Sequence, residues 1–262
     1  MKLEDDDLKD LERAKALLEN PGIAAKITDL IGTPIEKGIE LLPVNWNQKV
    51  AQVTQIALQK AVDTAVLTMN EVPGEEASNA WHKVAVATSG GIGGFFGLPA
   101  LAVELPVSTT IMLRSIADVA RSEGEAIGNA DAKIACIEVF ALGGPSTRDD
   151  ASETGYFAVR TSLATAVSEA TAHLAREGLA QEGAPALLRL IIQVAERFSI
   201  QVSQKAAAQA IPALGAVGGA LINTLFIDHF QNIACGHFIV RRLERKYGRD
   251  LVADRYGMLG SE

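Results

Sequence analysis

Aromatic side chains are scarce in this chain, with 8 Phe, 3 Tyr and 2 Trp among 262 residues. A core short of large rings must close through small side chains. The abundance of Ala, together with 23 Gly, points to helices that approach one another closely. Cysteine is nearly absent. Cys136 and Cys235 stand in apolar helical contexts with no CxxC or CxxH spacing, so they read as reduced core cysteines in a cytoplasmic protein. Positive charge is also short. Lys and Arg number 24 against 32 Asp and Glu, a net charge of −8, which leaves no broad basic field for nucleic acid. The first residues are acidic and carry no apolar h-region, so the start does not read as a secretory signal.

Helical periodicity fills most of the remainder. Residues 4–19 form an amphipathic pattern with Leu8, Leu11 and Leu18 on one face. Short helices follow at 23–31 and from Pro34 to Leu42, then a long one at 46–70 with Val50, Val53, Ala57, Ala61 and Ala65 on its inner stripe. Another long helix begins beyond Pro99 and ends near Gly124. Further helices fall at 131–142, 156–177, 184–200 and 201–211, and a last long one runs from about 215 to 247. No segment alternates as a strand would. The expected fold is all-α, a compact multi-helix bundle with two central Gly-rich apolar helices. The expected organisation is N-terminal amphipathic helices over 1–44, a helical domain over 45–256 and a tail over 257–262. The polar stretch STRDDASETG at 146–155 reads as a mobile loop.

Two runs, 84–103 and 206–227, contain no charged residue. Each is long enough to cross a bilayer, which takes about 20 residues. Both are diluted by Gly, Ala, Ser and Thr, so they fit the buried centre of a large helical protein, with membrane insertion as the alternative. Gly90 and Gly94, Gly93 and Gly97, and Gly215 and Gly219 each stand four apart, with Gly91 and Gly218 beside them. That spacing strips one helix face of side chains, and a neighbouring backbone can cross there. Each cluster is followed about 30 residues on by a similar ending, IADVARSEG and IVRRLERKYG, a pattern that suggests an internal pseudo-repeat.

Searches for chemistry return little. GGIGGFFG holds the glycines of a dinucleotide fingerprint only at slipped spacing and follows no clear strand, and G-K-[ST] is absent. There is no G-x-S-x-G elbow. His229 and His237 are eight apart, about 80° around a helix, and do not share a face. No metal ligand set, cofactor or catalytic residue is assigned. On the helix after Pro99, Glu104, Ser108, Ile111, Ser115 and Asp118 fall on one stripe, with Arg114 one turn before Asp118. Two readings stand. One is a solvated face with an Arg114–Asp118 pair; the other is a polar patch turned inward, where its charges must be paired. The basic cluster RRLERKYGR at 241–249 reads as a solvated helix end, with contact to an anionic lipid or partner as the alternative.

Four blocks in order, WHKVAVATSGGIGGFFGLPALAVELPVSTTIMLRSIADVARSEGE at 81–125, IEVFALGG at 137–144, VSQKAAAQAIPALGAVGGALINTLFIDHF at 202–230 and FIVRRLERKYG at 238–248, resemble the EcsC family of bacterial proteins. The resemblance brings no catalytic residues. It implies an association with ABC-type exporters, and so a membrane lipid or a transporter as partner and a place at the inner face of the membrane. The family's recurring polar positions fall on His82, Glu104, Arg114, Asp118, Lys205, Asn223 and His237, which become the candidate ligand-binding residues. The other function class left open is a metal-dependent or other enzyme using Glu104, Asp118 and a histidine.

Overall fold

A computed structural model describes residues 2–19, 22–32, 34–66, 98–143, 155–177, 185–211 and 215–259, without the side chains of residues 30, 31, 65, 66, 98–100, 177 and 215–219. Among the described residues every regular element is helical. In chain order these are α1 (Asp5–Leu18), α2 (Ile23–Ile31), α3 (Ile35–Glu40), α4 (Trp46–Ala61, extended by a π-turn at Val62–Val66) and α5 (Leu98–Ser122). They continue as α6 (Ala130–Leu142), α7 (Gly155–Glu177), α8 (Pro185–Gln209), α9 (Gly215–Tyr247) and α10 (Arg249–Met258). The chain is an all-α bundle, as its periodicity predicts. The first glycine cluster, His82 and most of the 146–155 loop lie outside the described residues.

Four differences from the sequence reading have physical causes. In α1 the inner stripe is Asp7, Leu11 and Ala14, and Leu8 is only half-buried. Asp7 takes the inner place because Lys246 Nζ and the Tyr247 hydroxyl donate to its Oδ2 at 2.7 and 2.6 Å. The two helices expected at 184–200 and 201–211 are one helix, α8. The Ser199 hydroxyl donates back to the Glu196 carbonyl at 2.7 Å, which satisfies it without a break, and Gln201 and Val202 are fully buried. The helix expected over 46–70 turns from α to π geometry after Ala61. Finally, α10 falls where no helix is expected. Its sequence RDLVADRYGM offers only Val252 and Tyr256, one turn apart, as an apolar stripe, yet both are fully buried.

The bundle is organised around α8 and α9. Phe140 of α6, Phe198 of α8 and Phe226 and Phe230 of α9 pack with ring centroids 4.8–6.0 Å apart, so four of the few aromatics make one nucleus. α5 and α9 run parallel: Glu104 meets Asn223, Ser115 meets Gln231, and Glu125, just past the end of α5, meets Arg241. α1 and α6 run against α9, Asp10 meeting Arg242 and Asp131 meeting Arg241. Small residues permit the closest crossings, as the composition suggests. A Cβ on Gly38 of α3 would lie 2.1 Å from the Ala207 carbonyl oxygen of α8, and one on Gly236 of α9 would lie 2.9 Å from the Ala14 carbonyl oxygen of α1. Neither glycine belongs to the two clusters that the sequence singles out.

Candidate functional site

Glu104 is the first charged residue after one uncharged run, and Lys205 is the last before the other. The fold brings them together. Lys205 Nζ donates to Glu104 Oε1 at 2.9 Å and to Oε2 at 3.1 Å, and the Asn223 amide donates to Oε1 at 3.2 Å. The Lys205 side chain is fully enclosed and that of Glu104 is 6% exposed. The ammonium also stands 5.0 Å from the centroid of the Phe226 ring, an attraction that adds to the pair once water is excluded. Three candidates from three helices thus converge on one carboxylate. Two charges withdrawn from water cost several kcal/mol each, repaid only by this geometry.

The stripe on α5 therefore turns inward. Glu104, Ser108 and Ser115 are buried, and Gln231 of α9 donates to the Ser115 hydroxyl at 2.7 Å. The other side, Leu105, Met112, Leu113 and Ile116, is buried as well, so most of α5 is enclosed and its exposed positions include Val103, Val107 and Arg114. Asp118 is half-buried and pairs with Arg121 at 2.9 Å. Neither Arg114 nor Asp118 joins the carboxylate of Glu104: the two acids are 14 residues apart, about 21 Å along the helix. On α8, one turn before Lys205, Gln201 is fully buried and neither of its amide atoms makes a hydrogen bond, which costs about 1–3 kcal/mol per group.

His237 belongs to a second buried cluster. Arg160 of α7 grips Glu244 with two bonds of 2.7 and 3.0 Å and donates to the Tyr156 hydroxyl at 3.3 Å. Tyr156 Oη and His237 Nδ1 share a hydrogen bond of 2.9 Å. His237 Nε2 lies 3.9 Å from Glu138 Oε2. Burial holds the His237 imidazolium well below its usual range, aided by Arg160 and Arg241, and pushes the Glu138 carboxyl and the Tyr156 phenol up. Sequence reasoning missed Glu138, Tyr156 and Arg160. Glu138 had a signal, as a lone acid in the apolar run IACIEVFAL; Tyr156 and Arg160 had none. His229 is a separate case. Its Nε2 donates to the Gly143 carbonyl at 2.8 Å, and burial lowers its pKa to about 4. A Cβ on Gly143 would come within 2.9 Å of that nitrogen.

The basic cluster at 241–249 is partly solvated, with Arg245, Lys246 and Arg249 exposed and Arg241 and Arg242 half-buried, and most of its cations are paired within the chain. Arg241 pairs with Glu125 and Asp131 at 2.8 and 2.6 Å, and Arg242 with Asp10 and Glu123 at 2.7 and 3.0 Å. Arg245 pairs with Glu125, and Lys246 with Asp7 and Glu4 at 2.7 and 3.0 Å. This half of α9 is tied by charge to α1 and to the segment between α5 and α6.

Among the described residues no group of three His, Cys, Asp or Glu side chains is placed to hold a metal ion, and no helix is long and apolar enough to cross a membrane. Cys136 is buried and Cys235 half-buried, and neither forms a disulfide. What the Glu104 site offers is anchorage, since one carboxylate ties α5 to Lys205 of α8 and Asn223 of α9. A family model matches the chain over residues 5–243, the EcsC protein family. The chain belongs to the EcsC family. Since the match starts at residue 5, this EcsC protein's α1 lies inside the family's span, in keeping with its packing along α9. No curated protein and no solved structure matches the chain.

Proposed function

We propose that this EcsC protein is a non-enzymatic helical protein that works peripherally at the inner face of a membrane, where one apolar end of its bundle meets a lipid, a hydrophobic ligand or an integral partner such as a transporter. One observation carries the reading. Large apolar side chains are left exposed on α3 and the segment after it (Ile39, Leu41, Val44) and in the first turns of α5 and α9 (Val103, Val107, Leu221). Buried residues near them in sequence are in contact, Gly38 with Ala207 of α8 and Lys205 of α8 with Glu104, which Asn223 also reaches. Val44 is 89% exposed and Val103 74%. Apolar side chains left in water in such concentration mark an interaction surface. Glu104 follows one uncharged run and Lys205 precedes the other, and their ion pair joins α5 to α8.

The test is fractionation of cells holding the full chain, with native mass spectrometry of the purified protein. Recovery with membranes, or a co-purified lipid, is the expected result; wholly soluble protein with no lipid would sink the proposal. The enzyme reading has no observation in its favour, because Glu104 and Asp118 are too far apart on α5 to share one ion.

A further inference from the structure

We infer that the groove between α1 and α10 is a self-complementary docking surface, and that its occupant is the same groove of a second copy of this chain. The groove has a volume of about 670 Å³, within the usual range of binding sites. Its walls are Leu8, Glu12 and Ala16 of α1 and Arg255, Met258 and Leu259 at the end of α10. Lys15, which also lines it, ties the two helices together by donating to the Tyr256 and Leu259 carbonyl oxygens. The helices are thus held side by side without closing the seam, and Met258 is left 61% exposed.

Two charges decide what fits there. Glu12 and Arg255 line the same groove, yet neither forms an ion pair with the other or with any other described residue. Their neighbours on α1 are committed, Asp6 to Lys9, Asp7 to Lys246 and Asp10 to Arg242. An occupant of one sign would satisfy one wall and strand the charge on the other away from water. An apolar occupant would strand both. The groove itself carries both signs. Turned about a two-fold axis, Glu12 of each copy meets Arg255 of the other, so one patch supplies both partners, as an isologous contact requires. The apolar walls obey the same symmetry. Two helix pairs set groove to groove make a four-helix bundle, with Leu8, Ala16, Met258 and Leu259 of both copies between them. The charges then flank that core as they flank the seam of a coiled coil. Met258 suits such a core, because a flexible thioether fills irregular gaps.

The experiment is sedimentation equilibrium of the full chain over a range of concentrations, at low and high salt. Expected is a monomer–dimer equilibrium that salt weakens. Glu12→Arg alone and Arg255→Glu alone should each weaken the dimer at least about tenfold, because each sets two like-charge pairs across the axis. The exchange variant Glu12→Arg/Arg255→Glu should restore it, a result that no general loss of stability can give. Met258→Asp should dissociate it as well. Glu12 is exposed and unpaired, so Glu12→Arg should keep the parent's thermal melt, and it carries the test if Arg255→Glu lowers that melt. A chain that is monomeric at every concentration overturns the inference. So does a dimer that neither single reversal weakens, or one that the exchange variant fails to restore.

Discussion

At the end of the bundle where α5 and α9 begin, charge inside the protein is concentrated in one pair, Glu104–Lys205, wrapped by Asn223 and Phe226. At the end where α9 finishes, charge is spread over Arg160, Arg241, Arg242, Arg245, Lys246 and their carboxylates, most of them half-exposed. The two ends use ions for different ends. A dry pair cannot be screened or replaced by water, so it fixes which helices stand together and in what register. A wet network contributes little per bond but leaves no free basic patch. Near the dry pair Val103, Val107 and Leu221 are exposed, whereas the wet end presents paired charges.

The sharpest way to break the comparison is Lys205→Met. It strands the Glu104 carboxylate in the core and should cost about 3–5 kcal/mol in denaturant unfolding, whereas the double variant Glu104→Gln/Lys205→Met should recover much of the loss. A double variant no more stable than the single would mean that the pair does not act as a unit.

Acid probes the buried groups farther along α9 and on α6. A histidine whose folded pKa is depressed loses stability as pH falls below its ordinary value of 6.5, because the unfolded chain then binds more protons. For His229, with a folded value of about 4, the loss should reach about 2 kcal/mol at pH 5. His237 acts in the same direction, but Glu138 opposes it. A carboxyl raised above 4.5 is protonated first in the fold, so between 4.5 and its raised value its contribution grows as pH falls. Glu138→Gln should therefore steepen the loss between pH 6.5 and 4.5 in pH-dependent unfolding. An unchanged slope would show that the two groups do not offset each other.

Gly38→Ala, at the dry end, should cost about 1–3 kcal/mol, since the new methyl group meets the backbone of α8. Gly236→Ala, at the wet end, should cost less, because its closest backbone approach, 2.9 Å to the Ala14 carbonyl oxygen, is longer than the 2.1 Å at Gly38, and its other close neighbour is the Leu18 side chain, which can turn aside. Equal melting temperatures for the two variants would contradict that ranking. The smallest effect belongs to Arg242→Ala. Its pairs with Asp10 and Glu123 are over one-third and nearly one-fifth exposed on their acidic side, so the change should stay below about 1 kcal/mol and shrink further in salt.

Much of the fold was legible because helix formation is decided over a few residues. The stop near Gly124, the break at Gly248 and the continuous periodicity of α5 and α9 are local facts, written in spacing and in glycine. Gly124 and Gly248 have positive φ, as their places at helix ends suggest. The candidate site was legible in part. Glu104, Lys205 and Asn223 converge, Asp118 pairs with Arg121, His237 joins a different cluster, and His82 lies outside the described residues. α10 was missed because two apolar residues make too weak a pattern to read alone.

By itself the sequence determined that this chain is helical, where most of its helices stop, and that two long runs carry no charge at all. The tertiary structure alone decided which charges are dry. The spacing around Glu104 fits a solvated face as well as an inward one, and the choice is made by Lys205, 101 positions away, and by Asn223. Helical periodicity names the residues that share a face within a few turns. Whether a charge on that face can leave water depends on the donor opposite, and packing across the whole chain supplies that donor.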